Sequence, residues 1–149
     1  MARYTSSIFI DASPERVFDL FTDLERMPEW VGGVTRVSDV TGPVDRPGTR
    51  YTVWFGRMRS PTQVVAVERP RHIRTAFGNL ILNGESDVRF EPNGGGTRLT
   101  QTFYTHGFVS AVFARLFAMG SFSGSFRGEL KAFRRIVEGQ AGVATKPGE

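Results

Sequence analysis

The hydrophobic and polar positions of this chain change their spacing twice. Residues 3–11 have the pattern of a first strand, and residues 14–30 have the spacing of short amphipathic helices. From Val34 to about His106 the period is two, which is typical of strands, and from Gly107 to about Glu138 it is helical again. The pattern therefore predicts one strand, two short helices, six strands and a long C-terminal helix.

The first helix has a well-defined start. Ser13 is placed to cap it, Pro14 takes the first helical position, and Glu15 favours the positive end of the helix dipole. A second short helix is expected to follow and to end at Gly32–Gly33. Its apolar side carries Leu24, Met27 and Trp30.

Turn residues divide the segment 34–106 into six predicted strands. The strands are expected at about 34–41, 49–58, 62–69, 72–77, 80–91 and 97–106. The breaks between them contain turn residues such as Ser60-Pro61, Pro70-Arg71 and the run Pro92–Gly96. Consecutive strands at hairpin spacing form an antiparallel sheet, and the first strand brings the total to seven. We therefore predict an α+β fold.

Alternation in the last three predicted strands separates two faces of the sheet. The face predicted to point inward carries Ile73, Thr75, Phe77, Leu82, Ser86, Val88, Phe90, Leu99, Gln101, Phe103 and Thr105. The face expected to meet water carries Glu85, Asp87, Arg89, Glu91, Arg98 and Thr100. His72 is expected to be a solvated turn residue. The inward hydroxyl and amide groups need hydrogen-bond partners, which are either protein groups or a ligand.

The predicted C-terminal helix is long and irregular. It would extend about 45 Å, and its apolar face slips by about a quarter turn near Gly120–Ser125, which predicts two segments with a bend. Gly120, Gly124 and Gly128 follow at intervals of four, and each costs about 1 kcal/mol relative to alanine in a helix. We expect either close packing or a kink at these glycines, or space left for a ligand.

Composition excludes several classes of function. The 149-residue chain suits one domain, and the absence of cysteine excludes disulfides, thiolate metal sites and cysteine nucleophiles. Although the net charge is +4, the arginines are scattered and do not predict nucleic-acid binding. No signal peptide is recognisable, so we expect a cytoplasmic protein. Arg115 and several serines make an integral membrane span over residues 107–126 a poor interpretation.

Several short stretches of the chain form a recognisable set: IDASPERVF at residues 10–18, running on to Asp23, then Pro28-Glu29-Trp30, Gly48–Tyr51, Gly95–Thr100 and Leu130-Lys131. Together these stretches resemble the START-like (SRPBCC) superfamily, in particular its polyketide cyclase/dehydrase-like branch of bacterial proteins. The resemblance implies the helix-grip fold, in which a curved seven-stranded antiparallel sheet wraps around a long C-terminal helix. It covers a single domain, residues 1–138, and leaves 139–149 as a predicted disordered tail.

The superfamily implies a cavity between sheet and helix that holds lipids, polyketides or other apolar molecules. The residues predicted to bind a ligand are aromatic, or polar and inward-facing, or small: Trp30, Tyr51, Trp54, Phe77, Ser86, Gln101, Phe103, Phe113, Phe117 and Gly120. His106 and Tyr51 are the weak candidates for acid–base catalysis. Glu85, Asp87 and His106 are too dispersed to predict a metal site, and the sequence indicates no cofactor.

Three functions remain open at this point. The first is binding of a hydrophobic or aromatic small molecule, and the second is a polyketide cyclase/dehydrase-type enzyme that folds a poly-carbonyl chain by proximity and exclusion of water. The third is a protein-interaction domain with a filled core, for which a homodimer is one form. A titratable group with a shifted pKa in the cavity would favour the enzyme. An exposed apolar patch would favour the interaction domain.

Overall fold

A computed structural model describes residues 2–78, 83–105 and 122–145 of the chain. The elements in chain order are β1 (Ala2–Ile10), α1 (Pro14–Phe21), a 3-10 helix (Leu24–Glu29), β2 (Arg36–Ser38), β3 (Arg50–Phe55), β4 (Met58–Glu68), β5 (His72–Gly78), β6 (Asn83–Asn93), β7 (Gly96–Thr105) and α2 (Phe122–Thr145). The predicted order of elements is confirmed for these residues.

The strands form one antiparallel sheet in the order β1-β7-β6-β5-β4-β3-β2. The β1 strand pairs with β7 along its full length, from Ala2 opposite Thr105 to Ile10 opposite Thr97. The last strand of the chain therefore pairs with the first. From β2 to β7 each strand pairs with the next one along the chain. This is the hairpin order that the short spacing between the predicted strands indicated.

The turn between β3 and β4 is not where turn residues had predicted it. The chain reverses at Gly56-Arg57, where Gly56 has a φ of 65° that favours glycine. Ser60 and Pro61 lie inside β4 instead, and Pro61 is opposite Thr52 of β3. The pairing of β4 with β5 runs from Thr62 onward, so the missing N–H of Pro61 lies outside that ladder.

Both short helices form, with different geometry. The Ser13 hydroxyl accepts from the Arg16 backbone N–H at 3.3 Å, and Pro14 opens α1 as predicted. The second helix is a 3-10 helix that contains Pro28, and the Asp23 side chain makes no capping hydrogen bond to it. Since proline has no N–H to donate, the short 3-10 form suits this segment better than an extended α-helix.

The C-terminal helix α2 buries a stripe made of Leu130, Phe133 and Val137. These residues follow one another at intervals of three and four, the spacing that places side chains on one face of a helix. The helix continues through Thr145, so residues 139–145 are helical where a disordered tail was expected. The predicted bend near Gly120–Ser125 depends on residues 106–121, which lie outside the described ranges.

Gly128 does not have the packing role that its spacing suggested. It is exposed, and a Cβ added there would meet no atom of another described element within 4 Å. Close packing against the sheet is therefore not the reason for glycine at this position.

Aromatic contacts hold the two helices to one side of the sheet. The ring of Phe18 meets that of Phe90 edge-on with centroids 5.3 Å apart, and the Phe21 and Phe133 rings are 5.5 Å apart. The α1 helix contacts β6 and β7, and α2 contacts β1. The helices therefore pack over β1, β6 and β7, while the buried residues Val53, Val64 and Ile73 extend the core onto β3, β4 and β5.

The outer face carries a charged cluster that covers Asp87. His72 Nε2 lies 3.0 Å from Asp87 Oδ2, and Arg74 and Arg89 approach the same carboxylate at 3.7 and 3.6 Å. The predicted face is correct for Asp87, but the expected exposure is wrong because it is only 8% exposed. His72 is likewise a strand residue within hydrogen-bond distance of Asp87 rather than a solvated turn residue. Longer side chains on neighbouring strands cover the short Asp87 side chain.

Candidate ligand-binding cavity

A cavity of about 440 Å³ lies between the inner face of the sheet, the 3-10 helix and α2. Its size falls within the usual range for small-molecule sites. The described residues that line it are Tyr4, Phe21, Thr22, Leu24, Met27, Trp30, Val31, Gly32, Val34, Val44, Tyr51, Val53, Phe55, Met58, Ser60, Thr62, Ile73, Thr75, Phe77, Ser86, Val88, Gln101, Phe103, Thr105 and Glu129.

Strand parity decides which aromatic residues of β3 reach this cavity. Tyr51, Val53 and Phe55 line it, because side chains two apart on a strand share a face. Trp54 points to the opposite face, where its Nε1 donates to Ser38 Oγ at 2.8 Å. The guanidinium of Arg36 lies 4.3 Å from the Trp54 ring centre. Trp54, predicted as a ligand-binding residue, is therefore not a cavity residue.

The remaining predicted sheet residues converge on the cavity. Phe77 and Phe103 meet edge-on with ring centres 5.9 Å apart and line the same wall. Thr75 and Ser86 are cross-strand neighbours, and Gln101 Nε2 donates to Ser86 Oγ at 3.5 Å. This row of polar groups crosses β5, β6 and β7 within a wall that is largely apolar. Their role in ligand binding stays a prediction.

Thr105 adds a polar group that is less well satisfied. Its hydroxyl is buried and has no hydrogen-bond partner in the described part of the chain. Thr62, by contrast, donates to the Ser60 carbonyl at 3.3 Å. The inward polar side chains thus include both internally satisfied groups and one without a partner among these residues.

Glu129 of α2 is a site residue that sequence reasoning missed. Its Oε1 accepts a hydrogen bond from the Gly32 backbone N–H at 3.1 Å. Burial raises the pKa of the Glu129 carboxyl to about 7, although the Gly32 hydrogen bond acts in the opposite direction. The sequence does contain a signal for it: Glu129 lies one turn before Phe133 and therefore shares the apolar face of the helix.

Trp30 lies in the same part of the cavity wall. Its ring centre is 4.8 Å from that of Phe133 and 5.2 Å from that of Phe21. The indole Nε1 is buried and finds no hydrogen-bond partner among the described residues. Trp30 precedes Gly32 by two residues and packs on Phe133, so the 3-10 helix and α2 build this end of the cavity together.

The two weak catalytic candidates have different outcomes. Burial raises the pKa of the Tyr51 phenol further above its ordinary value, so it is protonated at neutral pH and can donate a hydrogen bond. It cannot act as a base there. His106 lies outside the described residues, as do the predicted ligand-binding residues Phe113, Phe117 and Gly120.

The chemistry available in the cavity is acid–base chemistry and hydrogen bonding. Glu129, with a pKa near neutrality, can accept or release a proton, while the hydroxyl and amide groups can orient a ligand. Within residues 2–78, 83–105 and 122–145 no group of three His, Cys, Asp or Glu side chains is placed to hold a metal ion. Among the helices described there, none has the length and apolar character to cross a membrane.

Several solved structures share this fold, while no curated protein matches the chain in sequence. Protein MLL2253 from Mesorhizobium loti is 13% identical with a TM-score of 0.73, over 92% of this chain and 97% of that protein. The di-domain ARO/CYC StfQ from the steffimycin biosynthetic pathway is 15% identical with a TM-score of 0.74, over 95% of this chain and 52% of StfQ. The Aha1 dimer from Colwellia psychrerythraea is 15% identical with a TM-score of 0.69, over 93% and 97%.

At these low identities, the structural similarities establish the fold alone. The sequence match is more specific, because the family model described as polyketide cyclase / dehydrase and lipid transport matches residues 1–138. That range contains β1 through β7 and the buried stripe of α2. The chain therefore belongs to the polyketide cyclase / dehydrase and lipid transport family.

Proposed function

We propose that the protein binds a lipid- or polyketide-like apolar or aromatic molecule in the cavity between the sheet and α2. The observation that carries this proposal is the 440 Å³ cavity with largely apolar and aromatic walls. An empty apolar cavity destabilises a fold in proportion to its volume. Small residues such as Thr75 and Ser86 keep this one open where larger side chains could fill it.

The family supports the same proposal from an independent direction. Its description combines polyketide cyclases, dehydrases and lipid transport, all of which handle extended, largely apolar molecules. StfQ, one of the structures with this fold, is named as an ARO/CYC of steffimycin biosynthesis. The cavity of this chain is of a suitable size and polarity for a ligand of that class.

Fluorescence of N-phenyl-1-naphthylamine tests the proposal, since this neutral probe brightens on entering an apolar site. Thr75→Phe places a ring in the cavity and is expected to weaken probe binding about tenfold, which corresponds to the hydrophobic free energy of about two buried methylene groups. Gln63→Phe adds the same ring to an exposed position of β4 and serves as the control. We expect the control to bind like the wild type.

Two results would contradict cavity binding. The wild-type protein could leave the probe dark, or it could brighten the probe equally in Thr75→Phe and Gln63→Phe. In the second case the probe would be held elsewhere on the surface.

A second candidate function is catalysis of the cyclase/dehydrase kind, and Glu129 is the observation that favours it. A carboxyl with a pKa of about 7 in a largely apolar cavity is suited to remove or return a proton next to a carbonyl group. The cavity would add proximity and exclusion of water. Tyr51 could donate a hydrogen bond to the substrate but could not serve as the base.

Deuterium exchange into the methyl group of 2-acetonaphthone, followed by NMR in heavy water, tests this second candidate. The wild-type protein should accelerate exchange over buffer, and Glu129→Gln should remove the acceleration, which for one general base is about 10²–10⁴-fold. Without acceleration by the wild type, the enzyme candidate fails while the binding proposal stands.

The third expectation, a protein-interaction domain with a filled core, is less well supported. A cavity of this volume counts against a filled core. The large apolar side chains most exposed in the described ranges are Phe9 of β1, Val40 of the loop after β2, and Met58 and Val65 near opposite ends of β4. Formation of a homodimer stays a prediction.

A further inference from the structure

Only one oxygen of the Glu129 carboxylate accepts a hydrogen bond from a described residue. Oε1 receives the Gly32 N–H, whereas no hydrogen bond to Oε2 comes from any other described residue. Glu129 is also the single acidic or basic side chain among the described residues that line the cavity. An acidic group in this position therefore has no counter-charge within that lining.

A partly buried carboxylate of this kind is stabilised when a ligand brings a cation to it. Transfer of an ionised carboxylate out of water is costly unless it is paired and hydrogen-bonded. The surroundings suit a cation, because the rings of Trp30 and Phe21, with centres 5.2 Å apart, line the same cavity as Glu129. Aromatic faces attract ammonium groups, and the attraction is greater where water is excluded.

We infer that the cavity takes a molecule whose polar end is a protonated amine, held by Glu129 Oε2, with its apolar part in the remainder of the cavity. The inference rests on the proposed binding function and specifies the ligand class. It also predicts selection against carboxylates, because a fatty-acid-like anion would meet the Glu129 carboxylate with no positive charge in the described lining to offset the repulsion.

Three probes with one ring system and different polar ends test the inference: 2-(2-naphthyl)ethylamine, 2-(2-naphthyl)ethanol and 2-naphthylacetate. Each competes at pH 7.5 against bound N-phenyl-1-naphthylamine. The amine should bind about ten- to hundredfold more tightly than the alcohol, as expected for a hydrogen bond between charged groups. The carboxylate should be the weakest competitor.

Glu129→Gln removes the charge and keeps the side-chain shape, so it should abolish the preference for the amine while the alcohol still competes. Glu138→Gln is the matched control, because Glu138 lies on the same helix and its Oε2 also accepts from a backbone N–H, that of Asp11, at 2.9 Å. Glu138 is not part of the cavity wall, so its variant should retain the wild-type order of the three probes.

The possible outcomes separate this inference from the proposed function. Equal competition by all three probes, or an amine preference that survives in Glu129→Gln, overturns the inference while cavity binding stands. Tighter competition by 2-acetonaphthone than by the amine also overturns it, since Glu129 would then act as a neutral donor to a carbonyl. If neither the fluorescent probe nor the amine binds, both proposals fail. The probe order in the wild type tests the inference without any substitution.

Discussion

Glu129 of α2 and Gly32 of the loop after the 3-10 helix are joined by a hydrogen bond of 3.1 Å from the Gly32 N–H to Glu129 Oε1. The two residues are 97 positions apart in the sequence. The bond connects the C-terminal helix to the segment that follows Trp30, and it holds an ionisable group in the wall of an apolar cavity. Stability and binding chemistry therefore depend on the same contact.

Replacement of Glu129 by Gln should change how stability depends on pH. The pKa of this carboxyl is raised from 4.5 to about 7 by burial, so the folded state binds the proton more tightly than the unfolded state. The wild-type free energy of unfolding should therefore fall as pH rises from about 4.5 to 7, by up to about 3 kcal/mol from this group. Urea unfolding at pH 5 and pH 8 measures the effect.

The expected sign for Glu129→Gln follows directly. The variant should be more stable than the wild type at pH 8 and about equal to it at pH 5, because Gln has no proton to lose. Glu138→Gln should show no such pH-dependent difference. If the Glu129→Gln difference is the same at both pH values, the carboxyl titrates as it would in water.

Much of the fold could be predicted because its patterns are local. The Ser13-Pro14 helix start, the period of two and the stripe of Leu130 and Phe133 depend on neighbours within a few residues. The position of the β3–β4 turn was predicted wrongly, because Ser60-Pro61 resembles a turn and the sequence does not reveal that Pro61 lies outside the β5 ladder.

The cavity was less predictable, because its composition depends on which elements meet. Parity placed Ser86 and Gln101 on the inner face, but the parity of β3 was not readable, so Tyr51 and Trp54 were both predicted to bind a ligand although they lie on opposite faces of the strand. Glu129 was missed because an acidic residue in an Arg-rich helix is ordinarily solvated. Its hydrogen-bond partner Gly32 is 97 positions away in the sequence, so no local pattern reveals the contact.

The charged cluster on the outer face tests how far burial increases the contribution of an ion pair to the free energy of unfolding. Asp87 is nearly buried beneath His72, Arg74 and Arg89. Asp87→Ala should cost about 1–3 kcal/mol of unfolding free energy, because charge-assisted bonds shielded from water are lost. The change is measured by urea unfolding at pH 7.

Asp19→Ala is the matched control for Asp87→Ala. Asp19 lies 2.6 Å from the Arg69 guanidinium, but both side chains are exposed. Exposed pairs contribute about 0–1 kcal/mol. If Asp19→Ala lowered the free energy of unfolding more than Asp87→Ala, the short distance between Asp19 and Arg69 would matter more than the burial of Asp87.

Phe133 supports both the core and the cavity end that holds Glu129. Its side chain is buried and packs on the rings of Trp30 and Phe21. Phe133→Ala should cost about 3–5 kcal/mol, a large part of the stability of a small domain. Arg135→Ala, at an exposed site two residues later, should change unfolding by less than about 0.5 kcal/mol. Comparable losses would place Phe133 outside the core.

Two glycines should respond in opposite ways to the same added methyl group. At Gly84 of β6 a Cβ would collide with the Tyr104 carbonyl oxygen of β7, and neither backbone can move without disturbing the ladder. Gly84→Ala should therefore destabilise the protein by about 1–3 kcal/mol or more. Gly128 of α2 has open space around it, so Gly128→Ala should stabilise the helix by up to about 1 kcal/mol. Thermal unfolding of both variants measures this contrast, and a loss of stability in Gly128→Ala would show that small size is required there after all.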